Sequence, residues 1–200
     1  MKTYEVTHVS GAPDWKNIPS AAIDQRLWSD VDGIVPSAQV CWDDNTLYVR
    51  LQTMEENILR RCTGYLADVY KDSCLEFFFC PGTGTDRYFN FEANPNGALY
   101  VGFGRPRPDR CRLHRPDFGD LLQVKPFDIP GGWGLELQIP VSFLQIFVPD
   151  FHLYSGQVLR ANFFKCGDET LRPHYMAWSK VDVPQPNFHL PEFFGELILK

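Results

Sequence analysis

Arg87-Tyr88-Phe89-Asn90-Phe91-Glu92-Ala93 alternates without a break, with Phe89, Phe91 and Ala93 on one side and Tyr88, Asn90 and Glu92 on the other. Side chains of an extended chain point to opposite faces in turn, so this is a strand with one apolar and one polar face. The turn Asn94-Pro95-Asn96-Gly97 follows, then a returning run from Ala98 to Phe103. Upstream, Cys74 to Cys80 is apolar except for Glu76 and stops at Pro81-Gly82. Farther upstream, Ala38 to Trp42 and Leu47 to Gln52 flank Asp43-Asp44-Asn45-Thr46 and predict a hairpin. Downstream, Trp133 to Ile139, Val158 to Cys166 and Glu196 to Leu199 read as strands. Only Val141 to Phe147 and Glu55 to Leu59 read as helical. Strand signals recur along the whole length with no β-α-β rhythm. The expectation is one all-β domain over 1–200, a two-sheet antiparallel β-sandwich. It should be jelly-roll-like, immunoglobulin-like in general shape, with one or two short helices.

Composition agrees. The 200 residues include 16 Phe, 15 Gly and 16 Pro, so turns are frequent and long helices are disfavoured. A disordered chain would lack these aromatics, and no apolar run approaches the roughly 20 residues of a membrane helix. The net charge of −6 argues against a general nucleic-acid binder, which needs a basic footprint. The start, Met1-Lys2-Thr3-Tyr4, has no apolar stretch after its lysine, so a cytoplasmic location is expected unless a leader has been removed. The six cysteines form no CxxC pair and read most simply as buried thiols, with a disulfide or metal set as the alternative. Gly104 to Arg115 carries five Arg against one Asp and reads as a surface loop or an arm toward an anionic partner.

The informative residues are polar ones in strands that otherwise look buried. Glu76 lies in Cys-Leu-Glu-Phe-Phe-Phe-Cys; Asn90, Glu92 and Asn94 form a stripe; Arg160 and Asn162 interrupt Val158 to Phe164. An uncompensated buried carboxylate costs several kcal/mol. Such groups belong either to a solvated outer face with internal ion pairs or to a face that grips a polyhydroxylated ligand. In the second case Trp178, with Tyr175 nearby, would provide the ring on which a sugar stacks.

In chain order, Val40-Cys41-Trp42-Asp43-Asp44-Asn45-Thr46-Leu47, Lys71-Asp72-Ser73-Cys74-Leu75-Glu76, Tyr88 to Gly97, Gly132 to Pro140, Arg160 to Cys166, Trp178 and Phe188 to Gly195 resemble carbohydrate-binding module family 9. More narrowly, the chain is similar to family-9-like proteins of bacterial polysaccharide-degrading systems. The resemblance implies a β-sandwich that binds oligo- or polysaccharide between two Trp rings, and places Glu76, Glu92, Asn94, Asn162 and Trp178 at binding positions. Glu92 stands where the family has a sugar-contacting Arg. The second ring, expected before Asp72, has no Trp counterpart, and Tyr65 or Tyr70 is the nearest aromatic. The expected ligand-binding set is therefore Glu76, Asn90, Glu92, Asn94, Arg160, Asn162, Tyr175 and Trp178, with no catalytic residue. On this reading Trp178→Ala abolishes sugar binding without unfolding the chain. No cofactor is expected; structural calcium, which members bind, would take oxygen ligands from turns at Asp14, Asp24 and Asp43-Asp44. Two other functions fit less well: a glycoside hydrolase using Glu76 and Glu92, and a haem-binding electron-transfer domain using Met176 and His174. His189 either bonds backbone in a corner or reaches the site, and Trp15, Trp28, Trp42 and Trp133 read as core or edge anchors.

Overall fold

The Asp43–Thr46 hairpin forms as its sequence predicts, and the chain adds strands to both sides of it. A computed structural model describes residues 2–82, 84–106, 109–115 and 117–200. The strands are β1 (Thr3–His8), β2 (Ala21–Ala22), β3 (Gln25–Leu27), β4 (Val35–Asp43), β5 (Thr46–Met54), β6 (Cys74–Phe79) and β7 (Tyr88–Ala93). They continue with β8 (Leu99–Gly104), β9 (Arg110–Arg112), β10 (Val124–Ile129), β11 (Gly132–Pro140), β12 (Val158–Cys166), β13 (Tyr175–Ala177) and β14 (Gly195–Leu199). Two short helices, α1 (Phe118–Leu122) and α2 (Val141–Gln145), flank β10–β11.

One sheet runs β10-β11-β5-β4, with β2 on the edge of β4. The other runs β14-β12-β6-β7-β8-β9, with β13 and β3 continuing from the end of β12. The first strand joins them: Thr3 to Val6 pair with β14, then Thr7 and His8 pair with β4. Both β1 pairings are parallel, so the sandwich is mixed where a wholly antiparallel one was expected. The cause is that β1 passes from one sheet to the other at the sandwich edge, beside strands running its own way.

Between the sheets lies the phenylalanine core that the alternation predicts. Phe77, Phe79, Phe89, Phe91 and Phe163 are all buried there against residues such as Val40, Val49 and Leu135. Their rings stack, with centroids 5.3 Å apart for Phe77–Phe79 and 5.5 Å for Phe79–Phe89. Each such burial contributes about 1.5–3 kcal/mol.

The outer face of the second sheet differs from the sequence expectation. It is neither solvated nor openly polar. Phe78, Tyr88, Phe164 and Cys166 on that face pack with Leu27, Val69, Val181, Phe188 and Phe194 into a second apolar cluster. Segments before β6 and after β13 therefore roof the sheet, which is why every residue of β6 and β7 is buried.

The segment Glu55 to Leu59, read as a helix, is not one. Asn57 has a left-handed backbone (φ 57°). Glu55 turns inward to accept hydrogen bonds from Ser73 Oγ and Trp133 Nε1, both at 2.8 Å. Buried polar partners override helix propensity here.

Candidate functional site

Strand register assembles a notch in the roofed face. Glu76 and Glu92 lie directly opposite each other on β6 and β7. Cys166 lies opposite both Cys74 and Tyr175, and Tyr175 lies opposite Leu27, the neighbour of Trp28. The result is a cleft of about 220 Å³ lined by Glu76, Glu92, Cys166 and Asp168, with Trp28, Tyr70, Tyr175 and Phe188 as its aromatic residues.

The aromatic wall is held rigidly. Trp28 has a left-handed backbone (φ 53°), a conformation costing roughly 1–2 kcal/mol for a residue with a side chain. Its Nε1 donates to the Val183 carbonyl at 2.6 Å. Its ring meets Tyr175 edge-on at 5.8 Å and Phe188 at 5.7 Å, and Phe188 in turn stacks on Phe164 at 4.1 Å. Strain held in place by surrounding contacts concentrates at ligand sites.

The floor is acidic. Burial, then the neighbouring Cys166 and Glu92, hold the Glu76 carboxyl well above the usual carboxylate range. The Cys166 thiol donates to Glu76 Oε1 at 3.0 Å, and Asn90 Nδ2 donates to Glu92 Oε1 at 2.7 Å. Burial also raises Asp168, against a lowering hydrogen bond from Tyr175. Such a floor sets two carboxyl groups side by side, hydrogen-bond partners spaced for neighbouring hydroxyls.

The raised Glu76 pKa has a stability consequence. A carboxyl that titrates higher in the folded chain than its unfolded value of about 4.3 makes the folded chain bind more protons. The parent therefore loses stability as pH rises from that value toward the folded one. Glu76→Gln mimics the protonated acid and lacks this loss. Its urea midpoint should gain on the parent as pH rises above the unfolded value of about 4.3; a gap that does not change with pH would mean that Glu76 titrates alike in the folded and unfolded chain.

Of the eight residues expected at the site, Glu76, Glu92 and Tyr175 line the cleft. Asn90 stands behind them, between Glu92 and Arg110. The other four do other work. Asn94 ties its loop together through the Cys62 carbonyl, Asp72 and the Asn96 and Ala98 amides. Asn162 exchanges two hydrogen bonds with the Ser179 backbone, both at 2.9 Å. Arg160 donates to the Pro191 carbonyl.

Trp178 is the main correction. It is only 3% exposed and belongs to the inter-sheet core. Its ring packs 5.4 Å from Phe163 and over Gly195, where an added Cβ would meet it at 2.5 Å. The reason is alternation: Tyr175 and Ala177 face the roofed side while Met176 and Trp178 face the core.

Trp28, read as an anchor, takes the wall instead. Tyr70 rather than Tyr65 reaches the cleft; the Tyr65 hydroxyl bonds the Leu113 carbonyl at 2.6 Å. His189 also lines the cleft and pairs with the Tyr88 hydroxyl at 2.8 Å. Asp168 carried no signal in the sequence, and Phe188 only its place in the family-like segment, because both sit in segments placed by tertiary contact.

The arginine-rich segment is largely internal in its contacts, and Arg107 lies outside the described residues. Arg110 lies 3.9 Å over the Tyr88 ring and Arg112 5.1 Å over Tyr100. Arg105 pairs with Asp86, and Arg115 with Asp117. Tyr100 is opposite Glu92, so guanidinium groups reach this side of the site from β9 rather than from β7.

The acidic turns suggested for calcium are occupied by protein donors. Asp14 accepts from Lys16 N and Asn17, Asp24 from Lys2 and Gln25, and Asp43 from Asn45 N and Tyr48. Among the described residues they form no group of three His, Cys, Asp or Glu ligand atoms within reach of one ion. The haem alternative fails on its ligands. Both His174 nitrogens are engaged, Nδ1 with the Arg172 carbonyl at 2.8 Å and Nε2 with Lys165 at 2.6 Å, and Met176 is buried in the core.

A two-sheet sandwich with a small, rigid, acid-floored and aromatic-walled cleft on one roofed face is a β-sandwich ligand-binding module. The sequence profile of Carbohydrate-binding family 9 matches residues 8–199, and the chain belongs to that family. It is similar to a Bacteroides uniformis protein described as a candidate carbohydrate-binding protein, at 26% identity and a TM-score of 0.83 over 100% of this chain and 99% of that one. It shares its fold with a family 9 module from Caldicellulosiruptor kristjanssonii solved in complex with glucose. That match has 17% identity and a TM-score of 0.70, over 100% of this chain and 96% of the module. A cellotriose complex of a family 9 module from the same organism matches with 17% identity and a TM-score of 0.71, over 100% and 94% of the two chains. No curated protein matches the sequence.

Proposed function

We propose that the chain is a non-catalytic carbohydrate-binding module that holds a neutral saccharide, one or two rings at a time, in the Glu76–Glu92 cleft. The observation that carries this reading is the cross-strand carboxyl pair beneath the Trp28–Tyr175 wall. Carboxyl, amide and phenol groups provide directional partners for hydroxyls, and rings accept the C–H face of a sugar. A cleft of about 220 Å³ is smaller than the roughly 300–1,000 Å³ of drug-sized sites, which suits a chain end or a short segment. The acidic floor disfavours uronic acids and sulfated sugars by like-charge repulsion.

Hydrolysis is the weaker reading. A glycosidase places its two carboxyls on either side of the scissile bond. Glu76 and Glu92 stand side by side on one sheet face, so a bound sugar meets both from the same side.

The test is a glycan array with the full chain, followed by calorimetric titration with glucose, cellotriose and the best array ligand. Trp28→Ala and Tyr175→Ala should each weaken binding by about 10–100-fold, or about 1.4–2.8 kcal/mol, with thermal stability close to the parent. A blank array and blank titrations, or unchanged affinity in both variants, would remove this reading.

A further inference from the structure

We propose that Cys74, Glu76 and Cys166 form a zinc site in the floor of the cleft, two thiolates and one carboxylate, with the fourth position open toward the cleft. This goes beyond saccharide binding and does not depend on it. The ligand atoms of these three buried residues all lie within 4.8 Å of one another. Cys74 and Cys166 are directly opposite on β6 and β12, and Glu76 follows Cys74 by two residues on the same face. One edge of the triangle is already short, with Cys166 Sγ 3.0 Å from Glu76 Oε1. Ligand atoms of a tetrahedral zinc lie roughly 3.3–3.8 Å apart, from bonds of about 2.0–2.3 Å. Small rotamer changes would therefore bring all three onto one ion.

The donor set selects the metal. Calcium and magnesium take oxygen ligands, whereas two sulfurs with one oxygen suit zinc. The strands supply the rigidity, since register fixes both cysteines and the glutamate in one ladder. Three protein ligands leave one tetrahedral position for water or for a carboxyl from Asp168 or Glu92, which line the same cleft. Binding would release the two thiol protons to solvent and engage Glu76 as a carboxylate, leaving Zn²⁺ with three anionic ligands and no redox change.

The experiment uses the full chain, metal-free and kept reduced, titrated with Co²⁺ and then with Zn²⁺ against a chromophoric chelator. One equivalent of Co²⁺ should give a sulfur-to-metal charge-transfer band and the intense visible bands of a tetrahedral site, and Zn²⁺ should displace it. X-ray absorption of the zinc-loaded parent, which needs no variant, should show two sulfurs at about 2.3 Å. Cys74→Ser and Cys166→Ser should each weaken Zn²⁺ by more than the roughly 100-fold upper effect of an outer-shell change. Cys111→Ser, at an exposed cysteine, should change nothing. Absence of a band in the reduced parent, an absorption spectrum with fewer than two sulfurs, or a band that survives in a folded Cys74→Ser chain would each overturn the proposal.

Discussion

Lys165→Met is expected to cost the fold about 3–5 kcal/mol, the range for breaking a buried ion pair by removing one partner. Lys165 is fully buried on the core side of β12. Its Nζ donates to Glu55 Oε1 at 3.2 Å, the Cys166 carbonyl at 2.8 Å and His174 Nε2 at 2.6 Å, which uses all three protons of the ammonium. Methionine fills the same volume but leaves Glu55 buried with only Ser73 and Trp133 as donors. Adding Glu55→Gln should recover part of the loss, because the orphaned charge goes with it.

The pH dependence distinguishes charge from packing. Burial, then the Lys165 charge, lowers His174 from 6.5 to about 4. A group depressed in the folded state contributes stability above its unfolded value, and that contribution is lost as pH falls from about 6.5 toward the folded value. Without Lys165, His174 titrates higher and can serve as the cation beside Glu55 Oε1, 3.7 Å away. Urea melts should therefore show a smaller penalty for Lys165→Met at about pH 5 than at about pH 8. A penalty independent of pH would mean that packing alone is lost.

Trp178→Ala is expected to destabilise by about 3–5 kcal/mol, as for other buried Trp-to-Ala changes. The folded fraction should keep its affinity for the saccharide that the parent binds. The ring fills space between Phe163 and Gly195. Trp28→Ala is its mirror image, with large loss of binding and small loss of stability. Denaturant midpoints beside calorimetric titrations separate the two; a Trp178→Ala chain of parental stability that no longer binds would restore the ring to the site.

Much of the architecture was legible without coordinates. Eight of the strands lie where alternation and turn residues put them, because period-two patterning is a local property. The family could be read from the same segments, since the motifs keep their order along the chain. The site was legible only where it depends on a single strand or on direct register: Glu76, Glu92 and Tyr175. Trp178 and Tyr175 lie three residues apart, and in an extended segment such residues cannot share a face. Period-two counting therefore already separated them, although the motif drew Trp178 to the site and Tyr175 was expected beside it.

What alternation cannot report is what covers a face. Asn94 and Asn162 look like ligand residues in a strand pattern, yet loops folded from elsewhere consume their amides. Trp28 looks like an anchor, yet a left-handed turn and the Val183 carbonyl hold it at the cleft wall. Cys74 and Cys166 are 92 residues apart and meet only because β6 and β12 pair. Sequence by itself determined the sandwich, its phenylalanine core and the carboxyl pair, because these follow from side-chain period along one strand. The roof over the outer sheet, the aromatic wall, the buried Lys165 network and the thiol–carboxyl floor were decided by tertiary structure, because each needs groups from distant segments to share one desolvated space.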